Sequence, residues 1–274
     1  MRGFCQRILE RGDLEAKLAQ PAPDLDDGEP GPALRIPRPA RAPGLGLEGG
    51  AAALPRPGAL ADPGARAACL ARFAHHELMA VELFAWALLR WPELPAELRA
   101  GFVRVLAEEQ THCRLYLARL RSLGAAPEEH PASDYFWRHE PALDASPHGP
   151  RAFLCAMGLT LEQANLDFTL LYRDAFREAG DLESARVCQQ VHDDEVRHVR
   201  LASEWLQRLT PGTDDDVTAY ERAVPFPLGP ARAKGRRFDA GSRARAGLSP
   251  AFIERVRNAR SSQEQDSAGR TPRE

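Results

Sequence analysis

The sequence predicts an all-α protein organised around a four-helix bundle with one long crossover. Three observations predict it. Helical patterning holds for about 140 residues between residues 70 and 210, four Pro- or Gly-bounded segments of helical length lie within it, and no stretch shows the alternation of a strand.

Residues 3–19 predict one short helix. Residues 20–67 carry clustered Pro and Gly with little periodicity, which predicts an extended or partly disordered arm. The first bundle segment runs from near Ala65 to Trp91 and is stopped by Pro92. The second starts after Pro95 and runs to about Leu123, before Gly124. Pro127, Pro131, Pro141, Pro147 and Pro150 exclude a continuous helix over residues 124–149. The third segment runs from about Arg151 to Ala179 before Gly180, and the fourth from about Asp181 to Leu209 before Pro211-Gly212. Short connections make antiparallel hairpins of segments one–two and three–four, with a long crossover between segments two and three. That connectivity belongs to ferritin-like folds rather than to up-and-down bundles. The expected organisation is a helix and Pro/Gly-rich arm over residues 1–67, the bundle over 68–212, and a basic tail over 213–274 that wraps the domain and then loses order.

A net charge of −3 with pI near 6.3 argues against general nucleic-acid binding. From Pro230 to Arg260, however, nine Lys/Arg face only Asp239 and Glu254, a local charge of +7. A solvated wrap is the favoured reading of that stretch, with an anionic partner such as nucleic acid the less favoured one. Cys5, Cys69, Cys113, Cys155 and Cys188 lie far apart with no CxxC pair, which excludes a zinc ribbon or rubredoxin-like site, does not suggest a disulfide framework and predicts buried thiols. The N-terminus carries charges where a signal peptide needs apolar residues, and the apolar run Leu78–Trp91 is too short to span a bilayer. A cytoplasmic protein with no membrane association is expected.

The chemistry lies in two Glu-x-x-His repeats, Glu109/His112 and Glu195/His198. Three residues advance a helix by about 300°, so each Glu and its His share a face, one turn apart. Glu109 and His112 share theirs with Phe102, Val105, Leu106, Cys113 and Tyr116; Glu195 and His198 share theirs with Cys188, Val191, Val199, Ala202, Trp205 and Leu206. Both faces point into the core, where charge is costly unless paired or metal-bound. A dinuclear carboxylate site needs one more Glu from each remaining helix. Segment three offers Glu162, on a face with Cys155, Leu159, Leu166 and Thr169, with Asp167 as competitor. Segment one offers Glu77 or Glu82, and periodicity leaves the choice open because both faces are apolar. Spacing favours Glu77: it precedes Glu109 by 32 residues, as Glu162 precedes Glu195 by 33, whereas Glu82 would give 27. Asp194, His192 and Tyr116 are candidates to support the ligands, and His75 and His76 are read as ordinary helix histidines.

The motifs A-H-x-E-L-x-A-V-E-L (74–83), A-E-E-x-x-H (107–112) and D-E-V-x-H-V (194–199) resemble the ferritin-like family of unknown function numbered 455. The resemblance extends through ILERGDLEAKL (8–18) and PLGPARAKGRRFDAG (227–241). It implies a four-helix bundle with a di-iron or related centre. More distantly the pattern is similar to rubrerythrins, ribonucleotide reductase small subunits and diiron monooxygenases, including tRNA-modifying ones. The expected cofactor is two Fe ions, with Mn as alternative. Glu77, Glu109 and His112 would hold one, Glu162, Glu195 and His198 the other, with Glu109 and Glu195 bridging. The expected activity is an O2- or peroxide-dependent oxidoreductase acting on a small-molecule substrate with an external electron donor, and a homodimer is the expected assembly. The competing expectations are a non-catalytic iron-binding, storage or interaction protein, and an RNA-modifying hydroxylase.

Overall fold

A computed structural model describes residues 1–48 and 53–260, and among these every regular element is helical. The only extended pairing among the described residues is an isolated bridge between Glu48 and Ser133. The expected loss of order near the C-terminus falls on residues 261–274, outside the described residues. The chain divides into two compact units, Met1–Ala145 with Leu171–Val191, and Ser146–Leu170 with His192–Glu274.

The first unit opens with α1 (Arg2–Glu10) and α2 (Leu14–Leu18) rather than one helix. The break falls at Gly12, where a Cβ would lie 2.8 Å from the Ala42 nitrogen, and where the Ala42 N–H reaches the Gly12 carbonyl at 2.9 Å. Asp13 restarts the helix by accepting from the Ala16 N–H at 2.8 Å. The arm is irregular but tied down: Ala40 N–H donates to Leu9 O, Leu34 N–H to Leu89 O, and Leu45, Leu47 and Leu60 are buried.

The long helices of this unit are α3 (Pro63–Arg90) and α4 (Ala96–Ser122), packed along each other and joined through residues 91–95. Asp62 caps α3 by accepting from Ala65 N–H, and Pro63 occupies the first helical turn. From Glu77 to Leu89 every residue of α3 is buried, which is why its apolar pattern shows no face. At the end of α4, Gly124 takes φ 77°, so that the Ala125 N–H can turn back to the Leu120 carbonyl. The connection that follows α4 carries a short α5 (Glu140–Asp144) and 3-10 turns at Pro127–Glu129 and Trp137–His139.

The third bundle segment departs from the expected straight helix. It is α6 (Pro150–Ala156), a π turn over Met157–Glu162, then α7 (Gln163–Glu178). Gly180, with φ 79°, turns the chain into α8 (Leu182–Leu209), whose start Asp181 caps by accepting from the Ser184 N–H at 3.0 Å. The beginnings and ends of α7 and α8 are shared between the units. In the second unit the tail forms α9 (Asp216–Ala223), α10 (Ala240–Arg245) and α11 (Pro250–Asn258). α9 packs on α6 and α11, and α11 also packs on α10. Arg243 and Phe252 are each at most 1% exposed, so the basic stretch contributes to the core of its unit, as does Tyr220 of α9. None of the described helices is long and apolar enough to cross a membrane.

At the centre of the first unit, Glu82 is fully buried between two cations. Lys17 Nζ lies 2.8 Å from Oε1, Arg41 Nε lies 2.7 Å from Oε1, and Trp137 Nε1 donates to Oε2 at 2.9 Å. Burial raises the Glu82 pKa, but Arg41 and Lys17 outweigh it and hold the carboxyl below the usual glutamate range. A folded-state pKa below the unfolded one adds stability that is complete above the ordinary glutamate value and lost as pH falls through the depressed one. Lys17→Met is therefore expected to cost about 3 kcal/mol of unfolding free energy at neutral pH. The difference in stability between wild type and Glu82→Gln should shrink as pH falls below about 4.3. Urea denaturation at a series of pH values checks both, and a difference that widens in acid would exclude this role for Glu82.

Candidate metal centre

α3 and α4 bring together Glu77, Glu109 and His112, each at most 5% exposed, with one potential ligand atom from each within 4.8 Å of the others. Within this triad, His112 Nδ1 lies 3.3 Å from Glu109 Oε2. Glu82, the alternative on α3, is occupied by Lys17 and Arg41. The five residues from Glu77 to Glu82 advance a helix by about 500°, so the two side chains leave α3 about 140° apart.

The second unit gathers Glu162, Glu195 and His198 in the same way, each at most 4% exposed and again with ligand atoms mutually within 4.8 Å. His198 Nδ1 stands 3.6 Å from Glu195 Oε2, a near copy of the first pair. Asn165 donates to Glu195 Oε1 at 2.8 Å. The sequence reading missed Asn165, although its place three residues after Glu162 gives it the one-turn spacing of the Glu-x-x-His pairs. Asp167, the competitor of Glu162, is bound instead by Arg243, with contacts of 2.8 and 2.9 Å to its two oxygens. The backbone N–H groups of Gly235 and Asp239 also donate to it, at 2.8 and 2.7 Å.

The residues proposed to support the ligands divide. His192 is buried in the second unit with Thr169 Oγ1 3.0 Å from Nδ1 and Ser242 Oγ 3.0 Å from Nε2, and Arg245 also approaches Nε2 at 3.2 Å. Asp194 pairs with Arg197 on the outer side of α8. Tyr116 is buried in the first unit, 5.3 Å from the Phe73 ring, and burial pushes its phenol well above the usual range. His75 Nε2 donates to the Ser133 carbonyl, 2.7 Å away, and His76 stacks on Phe136 at 5.3 Å. Burial lowers their pKa values to about 4 and about 3, so both are neutral near pH 7. The cysteines are free and buried. Burial raises Cys5, Cys113 and Cys188 to about 12, which leaves them protonated thiols near pH 7.

Two carboxylates held this close in a buried place repel each other, and a cation or a shared proton between them relieves the repulsion. The donors of both triads are carboxylate oxygen and imidazole nitrogen alone, a hard set that fits Fe or Mn better than copper. The residues present therefore fit a divalent metal at each triad. Asp167 and Arg243 make a separate prediction. Arg243→Met strands a buried carboxylate and should lower the unfolding free energy by about 3–5 kcal/mol, whereas Asp167→Asn/Arg243→Met should recover part of that loss. Thermal and urea denaturation of the two variants read it out, and equal losses in both would sink the ion-pair account.

No curated protein and no solved structure matches the chain. Residues 9–254, most of its length and both triads included, match the family model described as "Protein of unknown function (DUF455)", and the chain belongs to that family.

Proposed function

We propose that this protein binds two divalent metal ions, Fe or Mn, one at each triad, as a ferritin-like dinuclear carboxylate centre that performs O2- or peroxide-dependent oxidation. The observation that carries the reading is the pair of buried Glu/Glu/His triads, each built on a Glu-x-x-His turn of a long helix. The dinuclear part rests on the sequence, where the two hairpins repeat the same ligand order at spacings of 32 and 33 residues.

Four carboxylates and two neutral imidazoles would balance the charge of two divalent ions. When bound, such ions would supply redox chemistry toward O2 or peroxide. The chain's own contribution is to hold and shield. Glu109 and His112 present their ligand atoms from consecutive turns of α4, and Glu195 and His198 do so from α8. Asn165 fixes the orientation of the Glu195 carboxylate through its 2.8 Å hydrogen bond, the kind of support that raises ligand precision. Near-complete burial keeps bulk water from the ligand atoms and leaves their electrostatics strong. The reductant and the oxidisable substrate come from outside the chain, which has no rubredoxin-type cysteine pairs.

Elemental analysis of anaerobically purified protein tests the reading. About two Fe or Mn per chain are expected, with Glu109→Ala/Glu195→Ala falling to near zero, and Glu82→Gln keeping its metal. Wild-type protein that stays metal-free after anaerobic reconstitution, while folded by circular dichroism, would exclude the metal function.

A further inference from the structure

Glu162 leaves the chain at the end of the π turn. A π turn holds one residue more than the α-helix it interrupts, so it turns every later side chain back by about one residue's step, roughly 100°. The direction of Glu162 therefore depends on whether Met157–Glu162 keeps this register or relaxes to a regular helix.

Several contacts within the second unit hold the register. Thr160 Oγ1 donates to the Cys155 carbonyl, five residues back, at 2.7 Å. With its one proton spent there, Thr160 accepts from the Tyr220 hydroxyl of α9, also at 2.7 Å. Tyr220 is 1% exposed and packs on Phe252 of α11, ring centroids 5.1 Å apart, while Ser249 at the start of α11 donates to Asp216 of α9 at 2.9 Å. On the other side of Glu162, Arg243 of α10 binds Asp167. The Gln163 amide, oriented to satisfy both its ends, donates to Leu159 O at 2.6 Å and accepts from Arg243 Nε at 3.2 Å. Gly158 completes the arrangement. A Cβ there would meet the Ala202 Cβ of α8 at 2.2 Å and lie 3.6 Å from Glu162 Oε2, so the turn is pressed against α8 beside the carboxylate.

We propose that Thr160 and Tyr220 are positioning residues: the tail helix α9, through the Tyr220–Thr160 hydrogen bond, locks the π turn so that Glu162 faces Glu195 and His198. This rests on the metal reading of the second triad and assigns the tail helices a task in it. The tail is thus part of the ligand scaffold, and loss of the Tyr220 hydroxyl, 22 residues beyond His198, changes the second site and not the first.

The test uses Co(II) as probe in the full-length protein, followed by equilibrium binding and by the visible d–d spectrum, which reports coordination geometry. Thr160→Val removes the hydroxyl at nearly constant volume, Tyr220→Phe removes only the oxygen on α9, and Thr160→Ser restores the hydroxyl. Wild type should take up two Co(II). Thr160→Val and Tyr220→Phe should each bind one of them about tenfold or more weakly with an altered spectrum, the other unchanged, and Thr160→Ser should behave as wild type. Should Thr160→Val fail to fold, Tyr220→Phe still decides. Two Co(II) bound with wild-type affinity and spectrum in Tyr220→Phe would overturn this proposal alone, as would equal weakening of both sites. A wild type that binds no Co(II) would overturn the metal reading and this one with it.

Discussion

Burying carboxylates inside a helical core is the constraint around which this chain is arranged. An ionised carboxylate removed from water is tolerated only when a cation, hydrogen-bond donors or a metal meets it. Glu77 and Glu82 on α3, Glu109 on α4, Glu162 on the π turn, Asp167 on α7 and Glu195 on α8 are all buried. Glu82 is met by Lys17 from α2 and Arg41 from the arm, so the N-terminal 48 residues are bound to their unit by an ionic contact as well as by Leu45 and Leu47. Asp167 is met by Arg243, which recruits α10 in the same manner. The other four gather with imidazoles, Glu77 and Glu109 with His112 and Glu162 and Glu195 with His198, which divides these six acids into structural ones, each next to a guanidinium or ammonium, and candidate ligands, next to another carboxylate and a histidine.

The same division explains why regions without bundle patterning are well packed. The arm has too many Pro and Gly to form long helices, yet its backbone joins α1 and α3 through Ala40 and Leu34. The basic tail looks from composition like a solvated surface. Its cations nevertheless have separate fates: Arg243 is fully buried against Asp167 and lies 4.0 Å over the Phe238 ring, while Arg255 and Arg257 pair with Glu221 and Glu254 at the surface. A local charge of +7 is thus partly an internal counter-charge for the acidic core.

Much of the architecture was legible because its signals are local. Pro92, Gly124, Gly180 and Pro211 stop helices by their own backbone restrictions, so the ends at Arg90, Ser122, Glu178 and Leu209 follow within a residue or two. Glu109/His112 and Glu195/His198 were legible because one helical turn fixes their relation without reference to the rest of the molecule. Glu77 against Glu82 was harder. α3 is buried on all sides at that level, periodicity carries no information there, and only the repeated spacing distinguished them.

By itself the sequence determined the helical class, where the long helical segments stop, and the two Glu-x-x-His pairs, since each depends on backbone propensity or on one helical period. Only the tertiary structure decided which acids are countered by distant cations, Glu82 by Lys17 and Arg41 and Asp167 by Arg243, because those partners lie 41 to 76 residues away and no periodicity links them. It also decided the π turn over Met157–Glu162, where Gly158 lies against Ala202 and Thr160 meets Tyr220, contacts between segments that meet only when the chain is folded.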